Sequence, residues 1–286
     1  WTAEDLPSME NETVVVTGAN SGIGFEATRA FARKGATVIM ACRNMERAGE
    51  AREDILEDFG EADLRVRELD LADLSTVRSF AEEIRANHDE IDVLCNNAGI
   101  MGIPREETED GFEKQMGVNH LGHFALTGLL LDLVENAGGR IVTQSSGLHR
   151  QADIDFDNLM LEEEYDAWRS YANSKLANLL FAYQLDLELK HNDHDAISVA
   201  CHPGYSNTRL QERVGEKKDS GLMKYGARVA NRLLAQPASK GALPMLYAAT
   251  SPDAEGGDFI GPDGLFEMRG YPENQRSSQE SYDMTD

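Results

Sequence analysis

The strongest constraint on this chain is an alternation: short apolar runs recur along it, and longer amphipathic stretches separate them. The runs TVVVTG (13–18), ATVIMAC (36–42), DLRVREL (63–69), IDVLCNN (91–97), GRIVTQS (139–145) and AISVACH (196–202) read as strands, with GDFIG (257–261) a weaker seventh. Their nearly continuous Val, Ile and Leu content suits strands covered on both faces. Helical periodicity lies between them, near 23–34, 46–58, 73–87, 110–136, 165–190 and 237–250. Strand and helix taking turns, joined by right-handed crossovers, predict an α/β fold: a doubly wound parallel sheet of about seven strands with helices on both faces. Ligands of such a sheet sit at the carboxyl ends of its strands. No repeat, low-complexity tract or linker interrupts the 286 residues, so a single domain over 1–286 is expected.

Immediately after the first strand comes TGANSGIG, with Gly18, Gly22 and Gly24 leading into a helix. Glycine lets the backbone turn sharply and approach a pyrophosphate, while the N–H groups and positive dipole end of the helix face its charge. The turn of Gly18, Asn20, Ser21, Gly22, Ile23 and Gly24 is therefore a candidate dinucleotide site of Rossmann type. The end of the second strand bears on the choice of nucleotide. There MACRN has no acid to accept from a ribose 2′-hydroxyl, but it has Arg43, a cation for a 2′-phosphate. NADP is accordingly expected ahead of NAD.

Composition excludes some partners. Against 51 acids stand 27 bases, a formal net charge of −24, and the bases are 19 Arg with only 8 Lys. A field of this sign repels nucleic-acid phosphates, whose binding needs clustered Lys and Arg. Its self-repulsion is screened in molar salt, where the Debye length falls to about 3 Å. An acidic, Lys-poor chain resembles the proteins of extreme halophiles, and a halophilic protein is expected. The longest apolar run, FALTGLLLDLV, is broken by Asp132 and falls short of the roughly 18 apolar residues that span a bilayer. The first residues, WTAEDLPSMENE, lack the basic start and apolar centre of a secretory signal, which predicts a cytoplasmic protein. Cys42, Cys95 and Cys201 are widely separated and read as buried small residues, not as a disulfide framework or a zinc site. His120 and His123 share a helix face but have no nearby carboxylate partner in the pattern, and His202 in HPG reads as a loop entry, so no metal is expected.

The spacing G-x-x-x-G-x-G behind Thr17 resembles the short-chain dehydrogenase/reductase family, and further matches extend along nearly the whole chain. NNAG (96–99) follows the fourth strand, Asn119 lies in VNHLGHF, Ser146 closes IVTQSS, YANSK supplies Tyr171 and Lys175, and HPGYSNT (202–208) follows the sixth strand. The resemblance implies that Asn119, Ser146, Tyr171 and Lys175 are catalytic. It implies Asp70 at the adenine, Asn97 near the ribose, Thr208 on the nicotinamide side and Lys175 at the nicotinamide ribose. Leu71, Ala98, Gly99, Tyr171, Pro203 and Gly204 join the same cofactor-binding set.

Moving a hydride between nicotinamide and a carbonyl requires a proton to travel too, and a free phenol, with pKa about 10, is a poor acid/base at moderate pH. The i, i+4 spacing puts Lys175 on the helix face of Tyr171, where its charge favours the phenolate; a lowered tyrosine pKa is expected. Ser146 would donate a hydrogen bond to the substrate oxygen. It is preferred to Ser145 because the family's serine is the second of such a pair, and strand alternation lets only one face the cofactor. By resemblance, Asn119 supports a water relay to solvent.

Ser146 and Tyr171 stand 25 positions apart, longer than is usual in the family. The extra residues, near 147–169, mix apolar and acidic positions and predict an ordered, substrate-binding excursion at the site mouth. That length, with SSGLH, SKLANLLF, HPG and GPDGLFEMRGYP, resembles the retinol dehydrogenase-like branch, which acts on aldehydes, ketones and alcohols, usually apolar ones. The segment 205–235 falls where the family has its substrate-binding loop, and it reads equally as a lid or a core face. The resemblance also implies subunit pairing through the helices near 110–136 and 165–190, giving a homodimer or homotetramer. The expected function is NADP-dependent hydride transfer on a small-molecule carbonyl/alcohol pair. A catalytically silent nucleotide-sensing or scaffold protein is disfavoured by the intact set of Asn119, Ser146, Tyr171 and Lys175. A sugar-nucleotide epimerase or dehydratase is disfavoured by the glycine spacing and the chain length.

Overall fold

The chain forms β1 (Thr13–Thr17), α1 (Gly22–Arg33), β2 (Thr37–Cys42), α2 (Met45–Asp58), β3 (Leu64–Glu68), α3 (Leu74–Asn87), β4 (Val93–Asn96), α4 (Lys114–Met116), a π turn (Gly117–Leu121), α5 (Gly122–Ala137), β5 (Arg140–Gln144), α6 (Ala167–His191), β6 (Ile197–Cys201), α7 (Ala238–Gly241), α8 (Leu243–Thr250), β7 (Phe259–Pro262) and β8 (Pro272–Asn274). These elements come from a computed structural model that describes residues 1–205 and 236–278. The strands lie in the order β3-β2-β1-β4-β5-β6-β7-β8. Strands β1 to β7 pair in parallel, and β8 runs antiparallel to β7. Strand order reverses between β1 and β4, which makes the carboxyl ends of these two strands the binding crevice of a Rossmann-type sheet.

Strand β1 is covered on both faces, and its valines serve two cores. Val14 and Val16 pack with Phe31 of α1, Ile55 of α2 and Leu246 of α8, whereas Val15 faces Phe80 of α3 and Leu126 and Leu130 of α5. Each such buried side chain contributes about 1.5–3 kcal/mol, so continuous apolar runs pay for burial on both faces.

Three expectations change. The sheet gains an eighth strand, Pro272–Asn274, whose proline sits at the sheet edge, where a missing N–H costs little. The helix read near 110–136 starts only at Lys114, capped by the Glu113 carboxylate, and is interrupted by the π turn, in which Gly122 N–H donates to Gly117 O. The helix read near 237–250 is split into α7 and α8, with Pro244 in the first turn of α8. Residues 206–235, and Thr208 with them, lie outside the described residues.

The stretch between β5 and α6 contains short 3-10 turns at Gly147–Gln151 and Phe156–Asn158. Near its end the Tyr165 hydroxyl donates to Ile103 O at 3.0 Å and accepts from Gln115 Nε2 at 3.0 Å, tying it to the loop after β4. No helix among the described residues is long and apolar enough to cross a membrane.

Candidate functional site

The turn after β1 is closed so tightly that only glycine fits. Gly18 and Gly22 hold φ of 68° and 56°, in the left-handed region. A Cβ at Gly24 would lie 2.5 Å from both Gly18 O and Asn97 Nδ2. The helix that follows has no side-chain cap: Ser21, with Asn20 before it, makes no hydrogen bond to the first turn of α1, whereas Asn44, Asp73 and Asp166 cap α2, α3 and α6. Unsatisfied N–H groups at a glycine-lined helix start fit the pyrophosphate of a dinucleotide. Ile23 anchors the turn in the core.

The turn after β4 is fastened to this one. Thr17 Oγ1 accepts from Asn97 N and Ala98 N at 2.9 Å each, and Asn97 Nδ2 donates to Thr17 O at 2.6 Å. At the end of β2, Arg43 is largely exposed, with Nε 4.0 Å from Asp70 Oδ2. Asp70 Oδ1 accepts from Ala72 N at 3.0 Å, and Leu71 is buried beneath Gly122. After β6, Pro203 O accepts from Gln236 Nε2 at 2.8 Å, and Gly204 holds φ of 62° where a Cβ would stand 2.6 Å from Met268 O.

Beside these turns four side chains converge from three elements. Tyr171 and Lys175 lie one helical turn apart on α6, Ser146 follows β5, and Asn119 sits in the π turn. Tyr171 is 8% exposed, and its hydroxyl is a hydrogen-bond partner of Ser146. Ser146 also accepts from Leu148 N at 3.2 Å, which fixes the 3-10 turn behind it. Lys175 Nζ is 5.8 Å from the centre of the Tyr171 ring and donates to Gln144 O at 3.0 Å. Asn119 accepts from Ile100 N at 2.8 Å and donates to Ile100 O at 3.0 Å and Ser174 Oγ at 2.9 Å. Gly99 borders both groups: a Cβ there would lie 3.2 Å from Asn119 Oδ1 and 3.5 Å from Lys175 Nζ. Ser145 is committed elsewhere, donating to Lys175 O at 2.7 Å.

Burial dominates the protonation of this cluster. It pushes the Tyr171 phenol up to about 12 against the opposing hydrogen bond of Ser146, and it lowers Lys175 to about 8. The expected lowering of the tyrosine by Lys175 is therefore corrected. The spacing argument weighed the charge but not the desolvation, and Nζ stands off the ring by 5.8 Å while spending one donor on Gln144 O.

Two contributors were not anticipated. Asn178 Nδ2 donates to the same Gln144 O at 3.0 Å; its place seven residues after Tyr171, on the same helix face, was the available signal. Glu113 is buried, accepting from Gln115 N, Met116 N and Ser170 Oγ with Tyr165 Oη 3.2 Å from its Oε1, and no local pattern marks it as anything but a surface acid. The histidines have protein partners: His120 Nδ1 lies 3.2 Å from Asn178 Oδ1, and His202 Nε2 lies 3.3 Å from Glu267 Oε2. Cys42, Cys95 and Cys201 are buried free thiols, and burial raises the pKa of all three.

The model of the short chain dehydrogenase family matches residues 12–219. Human retinol dehydrogenase 14 is 40% identical over 262 residues, covering 87% of this chain and 76% of that protein. Human retinol dehydrogenase 13 is 43% identical over 211 residues, 73% of this chain and 63% of that protein, so the match spans a little under two thirds of its length. A crystal structure of an uncharacterized protein from Mycobacterium paratuberculosis aligns with a TM-score of 0.81 at 41% identity, over 99% of this chain and 91% of that one. A short chain dehydrogenase from Shigella flexneri, complexed with NADP, aligns with a TM-score of 0.68 at 25% identity, over 89% of this chain and 98% of that one.

Proposed function

This chain belongs to the short chain dehydrogenase family as an NAD(P)-dependent oxidoreductase acting on alcohols, and from that premise we propose that it moves hydride between NADP and an apolar carbonyl/alcohol pair, with Tyr171 exchanging the proton. The observation that carries this reading is the convergence of Ser146 with the buried Tyr171 and Lys175 beside Gly99. NADP, when bound, supplies or takes up the hydride at its nicotinamide ring.

The chain's own residues do the rest. The uncapped start of α1 and the glycine turn hold the pyrophosphate, and exposed Arg43 meets the 2′-phosphate. Ser146 donates to the substrate oxygen, and Tyr171, protonated through neutral pH because burial holds its phenol at about 12, gives that oxygen a proton in reduction. Lys175 directs its remaining N–H donors and charge toward the ribose and the developing phenolate. Asn119 acts as a brace, since its amide already makes three hydrogen bonds to Ile100 and Ser174. A reductive preference at neutral pH follows, with alcohol oxidation rising as the solution becomes alkaline.

Likeness to two retinol dehydrogenases supports an apolar substrate. The halophilic character, the cytoplasmic location and the dimeric or tetrameric assembly belong to the same proposal; salt dependence, fractionation and light scattering test them. The direct test is consumption of NADPH and NADH with a panel of aldehydes and ketones in molar KCl. NADPH is expected to be preferred, and Arg43→Asp to lose about ten-fold of that preference. An unchanged preference would remove Arg43 from the cofactor site. Binding of NADPH with no turnover of any carbonyl would favour the silent, nucleotide-sensing alternative.

A further inference from the structure

One buried histidine has no part in the chemistry above. His123, in the first turn of α5, is 1% exposed and uses both ring nitrogens: Nδ1 lies 3.0 Å from Asn119 O, and Nε2 lies 2.9 Å from Thr17 Oγ1. A carbonyl oxygen only accepts, so Nδ1 carries the proton. Nε2 is then a lone pair, and the Thr17 hydroxyl must donate to it. The Thr17 oxygen keeps its own lone pairs for the N–H groups of Asn97 and Ala98, each at 2.9 Å, while the competing Cys95 carbonyl stands further off at 3.2 Å. Counting protons therefore fixes the direction of the whole chain, from the Asn97 and Ala98 amides through Thr17 and His123 to Asn119.

Every segment this chain touches belongs to the proposed site. Thr17 opens the glycine turn, Asn97 and Ala98 lead to Gly99 beside Lys175, and Asn119 holds Ile100 against Ser174 on α6. Burial also keeps the imidazole neutral, lowering its pKa to about 3, so the arrangement persists at working pH.

We propose that His123 is a positioning residue whose Nδ1–H tautomer couples the NADP-binding turn to the Asn119 turn, so that cofactor binding and alignment of the catalytic cluster are set together. The proposal rests on the oxidoreductase reading of the site.

A double-mutant cycle tests it, with the NADPH dissociation constant and kcat measured for Thr17→Val, His123→Phe and the double variant. Each single variant is expected to weaken NADPH binding by about ten-fold, as for one broken buried hydrogen bond, and to lower kcat. The double variant should be no worse than the weaker single, because the chain is already broken. Losses that multiply to about a hundred-fold would overturn the coupling, as would unchanged NADPH affinity. Should His123→Phe fail to fold, histidine 15N resonances of the wild type give a second reading. His123 should show a protonated Nδ1 and a bare Nε2, with signals that move when NADPH is added. An Nε2–H tautomer, or signals indifferent to NADPH, would refute the proposal. Wild-type protein that binds no NADPH would instead overturn the oxidoreductase reading beneath it.

Discussion

The two helices that carry the candidate site begin in opposite ways. At α1 the capping position is Ser21, which makes no side-chain hydrogen bond, and the turn before it is glycine-lined. At α6, Asp166 accepts from Trp168 N at 3.0 Å and Arg169 N at 2.7 Å, and Ser170, Tyr171, Ser174, Lys175 and Asn178 behind it are all buried. The first start leaves backbone donors for an incoming anion. The second satisfies its donors internally and lets burial set the protonation of Tyr171 and Lys175. Binding uses what the fold leaves unsatisfied, whereas proton chemistry uses what the fold has sealed.

Acid should break the sealed side. His123 and His149 are buried, and burial lowers them to about 3 and about 4 from 6.5. Between these values the unfolded chain binds more protons, so the stability is fully present above pH 6.5 and is lost as the pH falls toward the folded values. A buried histidine displaced this far is worth about 3–5 kcal/mol. Urea midpoints in molar KCl, where repulsion among surface acids is screened, should fall steeply between pH 7 and 4. A flat profile would mean that these histidines are charged in the folded protein.

On the open side, Gly24→Ala puts a methyl group 2.5 Å from Gly18 O and should weaken NADPH binding about a hundred-fold through misplacement of the turn. Fluorescence titration measures this, and wild-type affinity would contradict a close-approach role for the turn. The smallest effect sharpens the contrast: Asp166→Ala should cost about 1 kcal/mol of stability and leave NADPH affinity unchanged. Weakened cofactor binding in that variant would place the α6 cap on the binding side.

The open side was also the more legible in sequence. Its strand, glycines and helix start are local features, and Val14 to Val16 announce a doubly covered strand by composition alone. Tyr171 and Lys175 were recognisable through the family resemblance, not from their spacing alone, and the direction of the tyrosine shift was not legible at all. Desolvation depends on what packs against the phenol, which no local pattern carries. The π turn was hidden for a related reason, since a shift in the hydrogen-bond ladder leaves the apolar periodicity of 110–136 almost unchanged. Glu113 looks like one more acid in an acidic chain, yet the fold surrounds its carboxylate with backbone and hydroxyl donors. Strand β8 has three residues, too few for any alternation to register.

The central claim is that a buried phenol, Tyr171, passes the proton. Tyr171→Phe keeps the ring and removes only the hydroxyl, so NADPH titration and turnover of the best carbonyl substrate separate binding from chemistry in one variant. NADPH affinity is expected to stay within about two-fold of wild type while kcat falls by roughly 10²–10⁴-fold. Wild-type turnover in Tyr171→Phe would contradict the account.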